Sequence, residues 1–290
     1  MPDEEPVVRA EDLAECEREP IHVPGAIQPH GVLLNLRESD LAITQVSVNA
    51  LDVLGVDAKN LLQQPLRQFI DDECMNDLRE ALSLKNVAVA NPVRVELRND
   101  QRPSFDGILH RHSGTLIFEL EPRRTRGQRS VQSAVSNIGG ALEFLQGTPD
   151  IQTLCETTAE EVRRITDFDR VMIYKFDHEW NGEVIAEAKA EDTGSYLHHR
   201  FPASDIPPQA RKLYALNRIR FIPKVDYQPA GLIGTADLAE PLDMSFAVLR
   251  SVSPIHLEYL KNMGVAASMS ISLLHDDRLW GLVACHHRSP

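Results

Sequence analysis

The chain is poor in cysteine and in basic residues, and it has no long apolar run. Its 290 residues include four cysteines, Cys16, Cys74, Cys155 and Cys285, none in C-x-x-C spacing. That scatter excludes a dense disulfide framework and a cysteine-built zinc site, and it fits a cytoplasmic protein with reduced thiols. Lysine and arginine number 30 against 43 aspartates and glutamates, a formal charge of −13. A sequence-independent grip on phosphate backbones needs clustered cations, so no nucleic-acid partner is expected. The one basic cluster, Arg123-Arg124-Thr125-Arg126 with Arg129, lies in a polar stretch and reads as a solvated linker. No segment approaches the about 18 consecutive apolar residues of a membrane span, so none is expected. The start, Met1-Pro2-Asp3-Glu4-Glu5, lacks both the basic and the apolar parts of a signal peptide. What remains is ordinary globular composition, 42% hydrophobic and 25% charged, in a length sufficient for two domains.

Residues 1–30 are proline-rich and aperiodic, which predicts an extended arm. From Gly31 to Leu36 an apolar run ends in the turn Arg37-Glu38-Ser39-Asp40, and Ala42 to Val48 alternates. A short helix follows, stopped by Gly55. Val93, Val95 and Leu97 alternate with polar residues, as do Leu116, Phe118 and Leu120, which predicts strands with one buried face. This is the order of a PAS-like α+β domain over 31–122, with a linker at 123–130. Val131, Val135, Ile138, Leu142 and Leu145 then draw one helical stripe, and Ile151, Leu154, Thr158, Val162 and Ile165 a second. Strands over 170–176 and 182–188, a long insertion with a helix, and a closing hairpin (267–274 and 279–286) give a GAF-like order over 131–290. The closing helix usual in such a domain is missing, so the chain is expected to be a fragment of a longer receptor.

Several clusters carry chemistry. In the helix predicted to start near Pro254, His256, Tyr259 and Met263 fall at i, i+3 and i+7 on one face, with Leu257 and Leu260 beside them. Such a face suits a flat, conjugated, partly polar ligand; a core histidine is the plainer alternative. Ser204-Asp205-Ile206-Pro207-Pro208 opens another helix ending near Tyr214. There Ser204 or Asp205 is either a helix N-cap or, with Phe201-Pro202 before it, a carboxylate fixed to accept ligand N–H groups. Arg220 and Arg250 complete the polar set. Arg250 lies in apolar surroundings and needs a carboxylate, from a ligand or from Asp243 or Glu258. On the last strand, alternation puts Trp280, Leu282, Ala284 and His286 on one face and Cys285 with His287 on the other. Adjacent strand residues diverge, so Cys285-His286-His287 is no metal site, and His198-His199 has no supporting ligands. Cys16 is either an inert tail thiol or a nucleophile for a ligand held against it.

Together these runs resemble bacteriophytochromes over nearly the whole chain. The resemblance rests on Cys16 to Gly31, Arg170-Val171-Met172-Ile173-Tyr174, Phe201 to Pro207, Leu249 to His256, and Trp280 to His287. It implies a PAS–GAF photosensory core that binds a linear tetrapyrrole and switches between red- and far-red-absorbing states. By the same resemblance Cys16 forms a thioether to the ring A vinyl group, and Asp205 and His256 surround the pyrrole nitrogens. Arg220 and Arg250 hold propionates, supported by Tyr214, Ser268 and Ser270. Tyr174, Phe201 and Tyr259 surround ring D, with His286 at its carbonyl. Plant and cyanobacterial phytochromes place a cysteine where this chain has Ile255, so attachment at Cys16 implies biliverdin. The resemblance further implies a figure-of-eight knot, in which the arm before Gly31 threads a loop within Arg220 to Pro254. A PHY domain and an output module, most often a histidine kinase that signals to a response regulator, would lie outside this chain.

Two other readings remain open at this level. One is a GAF domain sensing a small ligand such as a cyclic nucleotide, which gives Cys16 no role. The other is a homodimerisation module using the GAF helices and the stripe from Val131 to Leu145, which is compatible with a light sensor.

Overall fold

The computed structural model describes residues 19–98, 104–123, 141, 144–236 and 240–290. Cys16, the linker beyond Arg123 and most of the Val131-to-Leu145 stripe lie outside them. The chain divides into two units, each drawn from separated stretches of sequence: one from His22–Gln128 and Tyr227–Val252, the other from Met1–Ile21, Arg129–Asp226 and Ser253–Pro290.

The first unit is built on strands β1 (Ala26–Ile27), β2 (Val32–Leu36), β3 (Ile43–Ser47), β4 (Val93–Glu96), β5 (Ser104–His112) and β6 (Thr115–Pro122). A later strand, β11 (Ala230–Gly234), inserts between β1 and β3, giving the order β1-β11-β3-β2-β6-β5-β4. Helices α1 (Ala50–Leu54), α2 (Ala58–Leu61) and α3 (Asp72–Ser83) accompany the sheet. Gly55 ends α1 in the left-handed conformation (φ 74°), as its position predicts. Asp71 caps α3 by accepting the Cys74 N–H at 2.8 Å, and Cys74, Met75, Leu78 and Ala81 bury one side of it.

The expectation of strands with one buried face fails for β6. Leu116, Phe118 and Leu120 enter the main core, but Ile117 and Glu119 on the opposite face are also buried. The reason is non-local: residues of the 227–252 stretch, Leu242, Met244, Ala247 and Leu249, form a second apolar cluster with Ile27, Leu33 and Ile117. Glu119 is fully buried within this layer and accepts the N–H groups of Val248 (3.0 Å) and Leu249 (2.6 Å). A buried carboxylate is tolerable only when paired in this way. His110 Nδ1 lies 3.6 Å from Glu119, and burial, helped by His112, pushes His110 down to about 4.

The second unit has β7 (Arg170–Phe176), β8 (Gly182–Lys189), β9 (Arg200–Phe201), β10 (Ile219–Ile222), β12 (Ala267–His275) and β13 (Arg278–His287), in the order β10-β12-β13-β7-β8-β9. Its helices are α4 (Ile151–Thr166), α5 (Pro208–Leu216) and α6 (Pro254–Asn262). Proline stands at the first residue of α5 and α6, where a missing N–H costs nothing. The buried stripe of α4 is centred on Cys155, Ala159 and Val162 rather than on Ile151 and Leu154; Ile151 is 61% exposed. A β-bulge between β12 and β13 displaces Trp280, so it packs with Val283 and Cys285 instead of sharing the face of Leu282.

Candidate functional site

Directly opposed residues in antiparallel strands share a face, and that face recurs every second position. Arg220 pairs with Ser270, Ser270 with Ala284, and Ala284 with Met172. The next row is Ile222, Ser268, His286 and Arg170, and a third joins Ser272, Leu282 and Tyr174. One face of this sheet therefore collects two cations, three hydroxyls, an imidazole and a phenol. The opposite face carries Val171, Ile173, Met269, Ile271, Val283 and Cys285, packed with α4.

Residues from the α5 and α6 segments join the polar side. A 3-10 turn, Ala203–Asp205, precedes α5, whose cap position is Pro207 with no side-chain bond. Asp205 is thus not an N-cap: its Oδ2 accepts the Tyr259 hydroxyl at 3.2 Å. Burial raises the Asp205 carboxyl above its ordinary range, and the Tyr259 bond partly offsets this. The His256 and Tyr259 rings lie nearly parallel, 14° apart with centroids at 6.3 Å. Burial, reinforced by the Arg220 charge, pushes His256 down to about 4, so its imidazole is uncharged at neutral pH. Burial also raises Tyr174 and Tyr259, with the Asp205 charge adding to both.

The Tyr174 ring packs 5.8 Å from Phe201 and 5.3 Å from Phe176. It occupies space that only glycine leaves: a Cβ on Gly182 would fall 1.7 Å from Tyr174 Cζ. Tyr214 is half-buried on α5, and its carbonyl accepts the Ser272 hydroxyl at 2.7 Å. Met263 follows the last residue of α6, half-buried, its N–H bonded to the Tyr259 carbonyl at 3.1 Å. His286 is pushed down to about 4 by burial, then by Arg170 and His256, and its buried Nδ1 has no hydrogen-bond partner among the described residues. Arg250 belongs to the other unit, where its backbone bridges Ile27.

An uncharged imidazole, a half-buried carboxylate, a cation beside serines and aromatic walls suit a flat conjugated ligand bearing N–H groups and carboxylates. Ser272, Arg170, Glu187 and Tyr196 were not singled out from sequence. Ser272 continues the two-residue spacing of Ser268 and Ser270, a signal that could have found it. Arg170 opens a strand whose next three residues, Val171, Met172 and Ile173, are apolar.

The PAS fold family matches residues 16–123 and the GAF domain family residues 150–290. The chain is 47% identical to cyanobacterial phytochrome B of Nostoc sp. and 44% to the bacteriophytochrome of Pseudomonas aeruginosa, each over 96% of its length. It superimposes on the chromophore-binding domain of Stigmatella aurantiaca bacteriophytochrome with a TM-score of 0.91 and 53% identity, covering 95% of this chain and 91% of that one. The chain belongs to the bacteriophytochrome family. A second family structure, the chromophore-binding domain of an unusual bacteriophytochrome from R. palustris, shares 44% identity at a TM-score of 0.88, over 95% of this chain and 90% of that one. The chain spans 38% of the Nostoc and Pseudomonas relatives. The PAS-then-GAF architecture is therefore established, and the family is one of photoreceptors.

Proposed function

We propose that this chain is the photosensory core of a red/far-red receptor that binds biliverdin covalently through Cys16. The observation that carries the reading is the convergence of Asp205, Tyr259 and His256 in one unit with the polar face bearing Arg220, Ser268, Ser270 and His286. Bound biliverdin would supply the conjugated system whose photoisomerisation is the light reaction. The protein's part is to hold and orient it. Uncharged His256 and the Asp205 carboxylate accept pyrrole N–H groups, while Arg220 and Arg250 pair with propionates, aided by Ser268, Ser270 and Tyr214. Tyr174, Phe201, Tyr259 and Met263 form walls, and His286 faces the ring D carbonyl.

Attachment at Cys16 is supported by the state of the remaining thiols. Cys74, Cys155 and Cys285 are buried, and burial raises all three, Cys74 to about 11 and Cys285 to about 12, which leaves them poor nucleophiles. Addition of the Cys16 S–H across a vinyl double bond would form the thioether with no leaving group. Ile255 can form no such bond. The arm before Gly31 would thread a loop within Arg220 to Pro254 in a figure-of-eight knot. The receptor would act in the cytoplasm as a homodimer through GAF helices, with a histidine kinase and response regulator downstream. Among the described residues no helix is long and apolar enough to cross a membrane.

Cys16→Ser tests the attachment. The variant is expected to bind biliverdin that acid denaturation releases, with no zinc-dependent fluorescence on a denaturing gel. Colour that stays on the polypeptide would move the bond to another cysteine.

A further inference from the structure

The mechanism above gives no role to a buried cation beside His286. Arg170, on β7, stands directly opposite His286 on β13, so the two side chains share the polar face as neighbours. The guanidinium is held on several sides. Nε lies 3.2 Å from Glu187 Oε1, a second nitrogen donates to the Gly194 carbonyl, and the group sits 4.2 Å over the Tyr196 ring. Glu187 in turn accepts the Tyr196 N–H at 3.0 Å and the Ser195 hydroxyl. Arg170 is 8% exposed and the Glu187 side chain 2%. A buried charge fixed this firmly cannot swing away from a second positive charge formed beside it.

We propose that Arg170 is a positioning residue for His286: its locked guanidinium keeps the neighbouring imidazole uncharged and leaves a ring nitrogen free for the ligand. The inference deepens the proposed function by assigning what fixes the protonation state at the far end of the bilin site. Its geometric basis is the cross-strand pair together with the buried Nδ1 of His286, which has no partner among the described residues. An uncharged imidazole offers one donor and one acceptor, whereas a charged one has two donors and would repel cationic ligand N–H groups. The charged and titratable groups around His286 are Arg170 on β7, His256 on α6, and, across Arg170 on β8, Lys189 and Glu187. The Lys189 ammonium donates to the Thr193 carbonyl at 2.8 Å. Glu187 works the other way from Arg170, so the expected effects of the two members of the ion pair have opposite signs.

The test is a pH titration of the ligand-free chain followed by NMR of 15N-labelled histidine. It does not depend on biliverdin binding, so its failure and failure of the bilin reading are distinguishable. In Arg170→Met the His286 midpoint should rise by about 1 pH unit, as removal of a close like charge implies. Arg170→Lys retains the charge and should keep the parent's midpoint, although it loses the planar fork. Glu187→Gln should move the midpoint down. If Arg170→Met and Arg170→Lys shift His286 alike, or neither shifts it, Arg170 serves packing alone and the proposal is wrong. Should Arg170→Met fail to fold, Glu187→Gln decides: an unchanged or raised midpoint overturns the proposal. With biliverdin as the probe, the Arg170→Met absorbance should gain a titration step that tracks His286 and is absent from Arg170→Lys. Identical absorbance titrations of the two variants, both with the pigment bound, would also overturn it.

Discussion

The two faces of the β10-β12-β13-β7-β8-β9 sheet are made by alternate residues of the same strands, yet they differ in kind. On one face Val171, Ile173, Val283 and Cys285 close on Cys155 and Ala159 of α4. On the other, Tyr174, Ser268, Ser270, His286, Arg170 and Arg220 gather polar groups that an apolar core would exclude. Removing apolar surface from water supplies stability on the first face, while the second keeps hydrogen-bonding capacity at a cost in stability. A strand's two-residue period lets one short segment serve both ends.

Neighbouring residues on β7 break this comparison most directly. Ile173→Ala deletes a side chain of 0% exposure and should cost about 3 kcal/mol, read as a lowered denaturation midpoint, with the biliverdin spectrum preserved in the surviving fold. Tyr174→Phe, one residue on, should change stability little and alter the spectrum. If both variants affect the same property, the two faces are not functionally distinct. Gly182→Ala should cost about 2 kcal/mol, because the new methyl group must displace the Tyr174 ring. The equivalent change at Gly264, where nothing among the described residues lies within 4 Å, is limited to the strain of its positive φ of 70°. Equal losses at the two glycines would remove the tight packing argued for Tyr174.

Much of this division was legible in sequence, because alternation is a local signal. It assigned faces on β13, while β7 and β12 were expected as strands; the i, i+3 spacing put His256 and Tyr259 on one side of α6, and Met263, expected on the same helix, follows its last residue. What escaped depends on distant partners. β11 holds two glycines in Ala-Gly-Leu-Ile-Gly and acquires its meaning only between β1 and β3. Glu119 looked like an outward residue because the stretch covering it begins more than a hundred positions later. α3 carried a readable signal, the Asp71 cap with Cys74, Leu78 and Ala81 at steps of 4 and 3, that went unread. Asp205 illustrates a different limit: its local pattern fits a helix cap equally well, and the two roles are separated by the cap falling at Pro207 and by the Tyr259 hydroxyl.

A smaller effect is expected at that hydroxyl. Tyr259→Phe should cost about 1 kcal/mol and raise the Asp205 carboxyl further, since the bond it loses favours the charged form. A 13C-carboxyl NMR titration in which Asp205 moves down or stays fixed would contradict this. At neutral pH the polar face should cost nothing through its histidines, which are uncharged in both folded and unfolded chains. Their folded values are depressed, so the unfolded chain takes up protons first on acidification. Stability should be intact above about 6.5 and fall as pH drops towards about 4, where His256 and His286 themselves charge. Denaturant midpoints flat across that window would argue against buried neutral histidines.

The central claim, that the polar face belongs to a covalent biliverdin site, is tested most directly by one absorbance experiment. The chain is mixed with biliverdin, its spectrum recorded, and the sample denatured in acid and separated from free pigment. The account predicts a new, intense red band on mixing and pigment that remains with the polypeptide after denaturation. A spectrum equal to the sum of protein and free biliverdin, with all colour in the free fraction, would contradict it.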